Sequence, residues 1–299
     1  MKLRIATRRS ALALAQSNWV AAQLQRFESG LEVELVEVVT TGDRIQDVSL
    51  AAIGGKGLFV SEVEDVLLRG EAELAVHSLK DVPAELAPGL LLGAIPERED
   101  PRDVLVTAEG DALDDLEAGS RVGTNSLRRT LQLRRQRNDL EYAMLRGNVD
   151  TRLRKLAAGE YRAIVLAAAG LRRLNLFGRP LWPIPVEISV PAVGQGFLAI
   201  VTREDDSKTR SLIESFEEPN ARIAADCERG FLEALGGGCQ VPAGALAQVI
   251  EKEVVIEGII ASPDGIHVYR GDHQGRKGSA AAIGKRRAID LLDQGGDRI

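Results

Sequence analysis

Sulfur and imidazole are scarce in this chain of 299 residues, which has two cysteines, Cys227 and Cys239, and three histidines, His77, His267 and His273. Two thiols cannot make a disulfide scaffold, and no spacing among these five residues resembles a zinc site. A reduced, intracellular protein and no bound metal are expected. No apolar stretch approaches the length of a bilayer span, since even Ile164–Leu171 is short and runs into Arg172-Arg173. Thr7-Arg8-Arg9-Ser10 with Ala11–Ala15 looks superficially like a twin-arginine export signal, but Gln16, Ser17 and Asn18 end the apolar region after five residues. Aromatic residues make up only 4%, too few for stacking platforms along a nucleic acid. The loop Gly54-Gly55-Lys56-Gly57 lacks the spacing of a phosphate-binding P-loop, and no Gly-x-Gly-x-x-Gly follows a strand, so nucleotide dependence is not expected.

With 44% hydrophobic and 27% charged residues, the chain is an ordinary globular one, long enough for two or three domains. Its charge is lopsided. The whole carries −6, yet Ser120–Pro180 holds 13 Arg and one Lys against four acids, a net of +10. A charge run can be a solvated helix face. Here the cations are almost all Arg and several stand beside Gly, Ser, Thr and Asn at loop-to-helix junctions. The planar donor fork of Arg matches carboxylate and phosphate, so a polyanionic ligand is a reasonable expectation.

The hydrophobic pattern predicts strand 3–7, helix 11–27 capped by Ser10, strand 32–40, a glycine-rich loop 41–57, helix 58–69 and strand 73–78. This βαβαβ start predicts a doubly wound α/β sheet with ligand groups at the carboxyl ends of its strands, where Thr7–Ser10 and Ser78–Asp81 fall. After an acidic junction at Glu97–Asp103 the alternation resumes through strands 104–107, 121–123, 142–145 and 163–167 and helices 126–137 and 149–158, a second α/β domain. The Pro- and Gly-rich run Pro180–Gly196 returns the chain to the first domain through 197–202. A helix at 221–235, strands at 245–250, 254–260 and 266–270 and a last helix at 280–292 read as a small α+β domain. The expected division is 1–96 with 197–214, then 97–196, then 215–299.

Among residues with chemical potential, Asp81 follows Ser78-Leu79-Lys80 at a strand end. It reads either as a turn or cap aspartate or as a cleft carboxylate that Lys80 holds ionised. Cys239 lies in a loop after Gly236-Gly237-Gly238 and can be a reactive or modified thiol, although no base adjoins it. Cys227 reads as a small buried hydrophobe and His77 as a hydrogen-bonded core histidine.

Taken together, the motifs resemble the porphobilinogen deaminase (hydroxymethylbilane synthase) family. The matches are Arg4-Ile5-Ala6-Thr7-Arg8 with Ser10, Gly54–Phe59, Ala75–Pro83, Glu99–Asp103, Gly123-Thr124 with Ser126–Arg129, Leu145–Val149 with Thr151-Arg152, Pro191–Gly196 and Gly237–Pro242, in family order over nearly the whole chain. The resemblance implies three domains, the first two similar to periplasmic binding proteins, and a dipyrromethane cofactor joined by a thioether to Cys239. It implies that four porphobilinogen molecules are deaminated and joined head to tail on that cofactor, with water releasing hydroxymethylbilane and ammonia as by-product. Each pyrrole brings an acetate and a propionate, which gives the Arg-rich segment a purpose.

By the same resemblance Asp81 is catalytic, stabilising the electron-poor azafulvene left when ammonia departs. Cys239, Lys80, Ser126, Arg128, Arg129 and Arg146 are cofactor-binding, and Arg8, Ser10, Gln16, Arg146, Arg152, Arg173 and Gln195 line the substrate cleft. Lys56 and Phe59 belong to a loop over the site. Asn125, Gly236 and Ala52 depart from the family pattern without removing a reactive group. The implied protein is a cytoplasmic monomer that binds porphobilinogen and neither nucleic acid nor membrane. Two other classes of function compete with this one. A non-catalytic two-lobed binder of a small anion would need neither Asp81 nor Cys239, and a nucleic-acid binder is disfavoured by the low aromatic content and net acidity.

Overall fold

The computed structural model describes residues 2–40, 60–178, 180–236 and 242–295. The chain opens with β1 (Lys2–Arg8), α1 (Ala11–Phe27), β2 (Glu32–Val38), α2 (Ser61–Leu68), β3 (Leu74–Ser78) and β4 (Leu90–Ala94). Ser10 starts α1 because its hydroxyl accepts from Ala13 N at 3.3 Å. The helix then buries Ala13, Gln16, Ser17, Val20, Ala21 and Leu24, a three-to-four spacing that lays one face on the sheet. β3 is buried through Leu74–His77, as befits a strand covered on both faces.

The second run comprises β5 (Asp103–Val106), β6 (Arg121–Gly123), α3 (Leu127–Gln136), β7 (Glu141–Ala143), α4 (Val149–Ala157), β8 (Ala163–Ala167), α5 (Ala168–Arg173) and β9 (Leu181–Pro183). Then come β10 (Leu198–Arg203), α6 (Ser207–Ile213), α7 (Pro219–Ala234), β11 (Ala243–Ile250), β12 (Glu253–Ala261), β13 (Val268–Arg276) and α8 (Ala280–Asp293).

Among the described residues these strands form three sheets. The first has the order β2-β1-β3-β10-β4 and the second β7-β6-β8-β5-β9. β1 runs parallel to β2 and β3, and β6 parallel to β7 and β8, whereas β10 and β5 lie antiparallel to their neighbours. The chain therefore crosses between the two sheets twice, outward before β5 and back before β10. The third sheet, β11-β12-β13, is antiparallel. Its core joins Ala225 and Phe231 of α7 to Ile256, Ile283 and Leu291, and continues into Leu79, Ile95 and Phe197 of the first lobe.

Several elements differ from the sequence pattern. β4, α5, α6 and β9 were not anticipated; β9 is a three-residue edge strand ending in Pro183 inside what reads as a return loop. β13 runs to Arg276, well past the expected 270, because small and polar positions continue its ladder with β12. Gly275 is one of them: a side chain there would press on Ile283 of α8.

α7 and α8 cross closely, and a Cβ on Gly284 would collide with the Cys227 carbonyl, one on Gly230 with that of Ala281. Gly284→Ala should therefore lose about 1–3 kcal/mol of stability, reversing the usual preference for Ala in a helix. Gly278, with open space where its Cβ would stand, should tolerate Ala within about 0.5 kcal/mol. Denaturant midpoints of the two variants test the contrast.

Candidate active site

Parallel neighbours bring the carboxyl ends of β1 and β3 side by side. Arg8 ends one strand, Ser10 caps the helix that follows, and Ser78 ends the other before a single 3-10 turn, Leu79–Asp81. Gln16, buried on the first turns of α1, donates from Nε2 to Ser78 Oγ at 2.9 Å. Arg8, Ser10, Gln16, His77, Ser78 and Asp81 line one cavity at this edge. Asp81 is exposed there, as a carboxylate that must reach a ligand should be.

The second lobe repeats the construction. After β6, Thr124 Oγ1 accepts from Ser126 N at 3.2 Å and Ser126 Oγ from Arg129 N at 3.4 Å, which starts α3. After β7, Asn148 Oδ1 accepts from Thr151 N at 2.9 Å and starts α4, with Arg146 just before it and Arg152 in its first turn donating from Nε to the Gly147 carbonyl at 2.8 Å. Helix N-termini at strand ends present N–H groups and positive potential to an anion. Arg173, at the end of α5 after β8, donates from Nη2 to the Gly196 carbonyl at 2.6 Å and so reaches the returning crossing. The two lobes also meet directly, since a side chain on Gly170 of α5 would touch Leu12 of α1.

Between the lobes lies a buried polar hub. Asp103, with no exposed surface, accepts from Arg128 Nη1 at 2.9 Å, Arg129 Nη2 at 2.8 Å, Ser189 Oγ at 3.0 Å and Gln195 Nε2 at 2.9 Å. Gln195 also donates to the Pro101 carbonyl at 2.7 Å, and its Oε1 accepts from Lys80 Nζ at 3.3 Å. One amide thus links the first lobe's lysine to the second lobe's aspartate. Arg98 closes the crossings against the C-terminal layer: it donates to Glu228 Oε1 at 2.8 Å and to the Gln195 carbonyl, and stacks over Phe197. Gly196 has φ +95°, and a Cβ there would strike the Glu99 carbonyl, so the crossings touch backbone to backbone.

Proton affinities follow from this assembly. Burial alone would raise the Asp103 carboxyl, but Arg128 and Arg129 outweigh it and hold the group far below the usual carboxylate range. Lys80 opens to the cleft, yet the protein mass on both sides displaces water. Burial pushes its ammonium down to about 8 against the pull of Asp81, with Arg129 and Arg128 adding repulsion. Burial lowers Arg152 to about 10, helped by Arg129 and Arg146, and lowers Arg173 to about 10 against Glu99. Lys80, Arg152 and Arg173 are thus cations whose charge the surrounding protein opposes, and an anionic ligand would relieve that opposition.

The expected residues Arg8, Ser10, Gln16, Lys80 and Asp81 come together at the first strand edge, and Ser126, Arg146 and Arg152 at the second. Gln195 and Arg173 join the crossings. Arg128 and Arg129 are buried beneath the cleft, their guanidiniums engaged by Asp103 and by the Val190 and Val165 carbonyls. Cys239, Lys56 and Phe59 lie outside the described residues. His77 corrects the reading of a hydrogen-bonded core histidine: it is buried, but its Nε2 has no hydrogen-bond partner. Cys227 is buried as expected, and burial pushes its thiol up to about 12. Sequence reasoning missed Asp103, Arg98 and Glu228. The first two were absorbed into an acidic junction, and an acid directly preceding the apolar run Val104–Val106 was the available signal.

A family model described as porphobilinogen deaminase, dipyromethane cofactor binding domain, matches residues 3–211, and one described as porphobilinogen deaminase, C-terminal domain, matches residues 223–293. The chain is 51% identical to a porphobilinogen deaminase of Brevibacillus brevis over 98% of this chain and 95% of the relative. It is 49% identical to one of Syntrophobacter fumaroxidans over 99% and 96%. Among solved structures, a probable amino-acid ABC transporter extracellular-binding protein from Bacillus subtilis superposes with a TM-score of 0.45 at 10% identity, over 72% of this chain and 89% of that one.

Asp103→Asn keeps the shape of the hub and removes its charge, leaving two buried guanidiniums uncompensated. It should cost about 3–5 kcal/mol, whereas Asp81→Asn at an exposed site should stay within about 0.5 kcal/mol. Because folding depresses the Asp103 pKa, its stabilisation is present above the unfolded value of about 3.9 and is lost as pH falls below it. Denaturation between neutral and acid pH should show a shallower decline for Asp103→Asn than for the parent; equal slopes would refute the assignment.

Proposed function

Since the chain belongs to the porphobilinogen deaminase family, we propose that the cleft between its lobes carries out that family's reaction with Asp81 as the catalytic carboxylate and Cys239 as the point of cofactor attachment. The chain is a transferase of tetrapyrrole synthesis that deaminates porphobilinogen and joins four units head to tail on a dipyrromethane cofactor, releasing hydroxymethylbilane and ammonia. The two-lobed binding-protein alternative is not favoured, because the matched relatives carry an enzyme's name. The observation that supports the residue assignments is that Asp81 shares one cavity with Arg8 and Ser10 while the adjoining Lys80 is within electrostatic reach of Arg129 and Arg128 of the second lobe.

The donor set fits the cofactor. A dipyrromethane bears acetate and propionate groups, and Lys80, Arg146 and Arg152 offer cations to them, with burial opposing the charge of Lys80 and Arg152. Ser126 at the start of α3 adds a hydroxyl, while Arg128 and Arg129 hold that helix on Asp103 and contribute positive potential from below. When bound, the cofactor supplies the free pyrrole α-carbon at which each unit is added. Arg8 and Ser10 hold carboxylates of the incoming pyrrole, with Gln16 keeping Ser78 in place. Asp81 faces the pyrrole N–H and stabilises the positive charge that develops on the ring as ammonia leaves. Arg146, Arg152 and Arg173 take up the carboxylates of the lengthening product, each charge-assisted hydrogen bond contributing about 1.5–3 kcal/mol.

This reading divides the chain at 1–96 with 197–214, 97–196 and 215–299, and makes it a monomer of the cytoplasm acting on porphobilinogen, with no role for nucleic acid. Among the described residues no helix is long and apolar enough to cross a membrane.

Intact mass of the purified protein should exceed the chain mass by two deaminated porphobilinogen units, and Cys239→Ser should lack the addition. An unmodified parent that gains no adduct from porphobilinogen would remove the attachment site. Asp81→Ala should retain the added mass and fold normally but lose at least about 100- to 1,000-fold in turnover; near-parental turnover would remove Asp81 from the chemistry.

A further inference from the structure

His77 is the penultimate residue of β3, with Ala199 of β10 opposite it. Its side chain is 6% exposed, and its Nε2 atom is buried without a hydrogen-bond partner. Leaving a buried polar atom unsatisfied is destabilising, and a leucine or phenylalanine would fill the same volume without that cost. The adjoining Ser78 Oγ accepts from Gln16 Nε2.

The ring does not lie in an apolar core. It lines the cavity that Arg8, Gln16, Ser78 and Asp81 also line. Burial, with Arg8 adding repulsion, lowers the imidazole to about 4, so the ring is neutral at physiological pH and carries one N–H and one lone pair. Placed beside a guanidinium, an N–H finds its natural partner in an anion that both groups can share.

We propose that His77 is a further substrate-binding residue: its Nε2–H donates to a carboxylate of the incoming pyrrole that Arg8 also holds, a bond made only when that anion enters the cavity. The inference deepens the proposed function and rests on its placement of a substrate carboxylate at Arg8. It explains why the Nε2 of a buried ring is kept without a partner in the protein, and it assigns His77 to recognition and leaves the charge stabilisation to Asp81.

With only three histidines in the chain, imidazole nitrogen resonances of the 15N-labelled holoenzyme are separable. Saturating porphobilinogen should move the Nε2 signal of His77 and leave His267 and His273 in place. His77→Phe should raise KM about tenfold, the equivalent of about 1.4 kcal/mol, with kcat within about twofold, and His77→Gln, which restores a donor, should recover most of the loss. An unmoved signal together with a KM within twofold of the parent would overturn the proposal. Should His77→Phe fail to fold, the signal is assigned from His267→Gln and His273→Gln, and its response in the parent decides. Arg8→Leu separates the two claims: an unchanged KM there strikes the placement of the carboxylate, whereas a raised KM beside a silent His77 overturns only the role of the histidine.

Discussion

A carboxylate that no water reaches organises this protein. Asp103 accepts from Arg128, Arg129, Ser189 and Gln195, so the first residue of β5, the start of α3 and the returning crossing are fixed to one pair of oxygens. Two adjacent guanidiniums buried under a cleft would repel each other and resist dehydration; an anion at their centre is the condition for having them there at all. The hub sets where α3 begins, and with it where Ser126 faces the cleft. Through Gln195 it sets where Lys80 rests.

The cleft above the hub is biased in the opposite direction. Lys80, Arg152 and Arg173 are held where burial works against their charge, and the pull of Asp81 and Glu99 only partly offsets it. Below the cleft cations are neutralised and structural; within it they are left short of counter-charge and receptive. That division lets one Arg-rich segment serve both as scaffold and as binding surface. It also accounts for the depth of adjacent arginines in a single motif: Arg128 and Arg129 are buried, whereas Arg146 and Arg152 are half-buried.

Much of this was legible beforehand, for identifiable reasons. The period of 3.6 in α1 and the buried run of β3 are local signals, so the elements and the strand-end placement of Ser10 and Asp81 could be read directly. Motifs such as Ser126–Arg129 named residues but not their depth, which depends on Asp103 arriving from a strand more than twenty positions earlier. His77 was placed correctly in an apolar strand, yet its missing partner is a property of the surrounding side chains, which periodicity does not encode. Short edge strands such as β9 were hidden because three residues ending in proline carry almost no pattern.

The two crossings bear on how the molecule is made. β10 sits between β3 and β4, yet it is synthesised after the whole of the second sheet. The second sheet is drawn from one continuous stretch, Asp103–Pro183, and can close as soon as it clears the ribosome. The first, though translated earlier, waits for about a hundred further residues before the strand that joins its two halves arrives, a delay of roughly 5–20 seconds at ordinary elongation rates. During that interval β3 presents an unpaired edge on the side β10 will fill. The lobe that is second in the gene is therefore the first that can be finished in the cell.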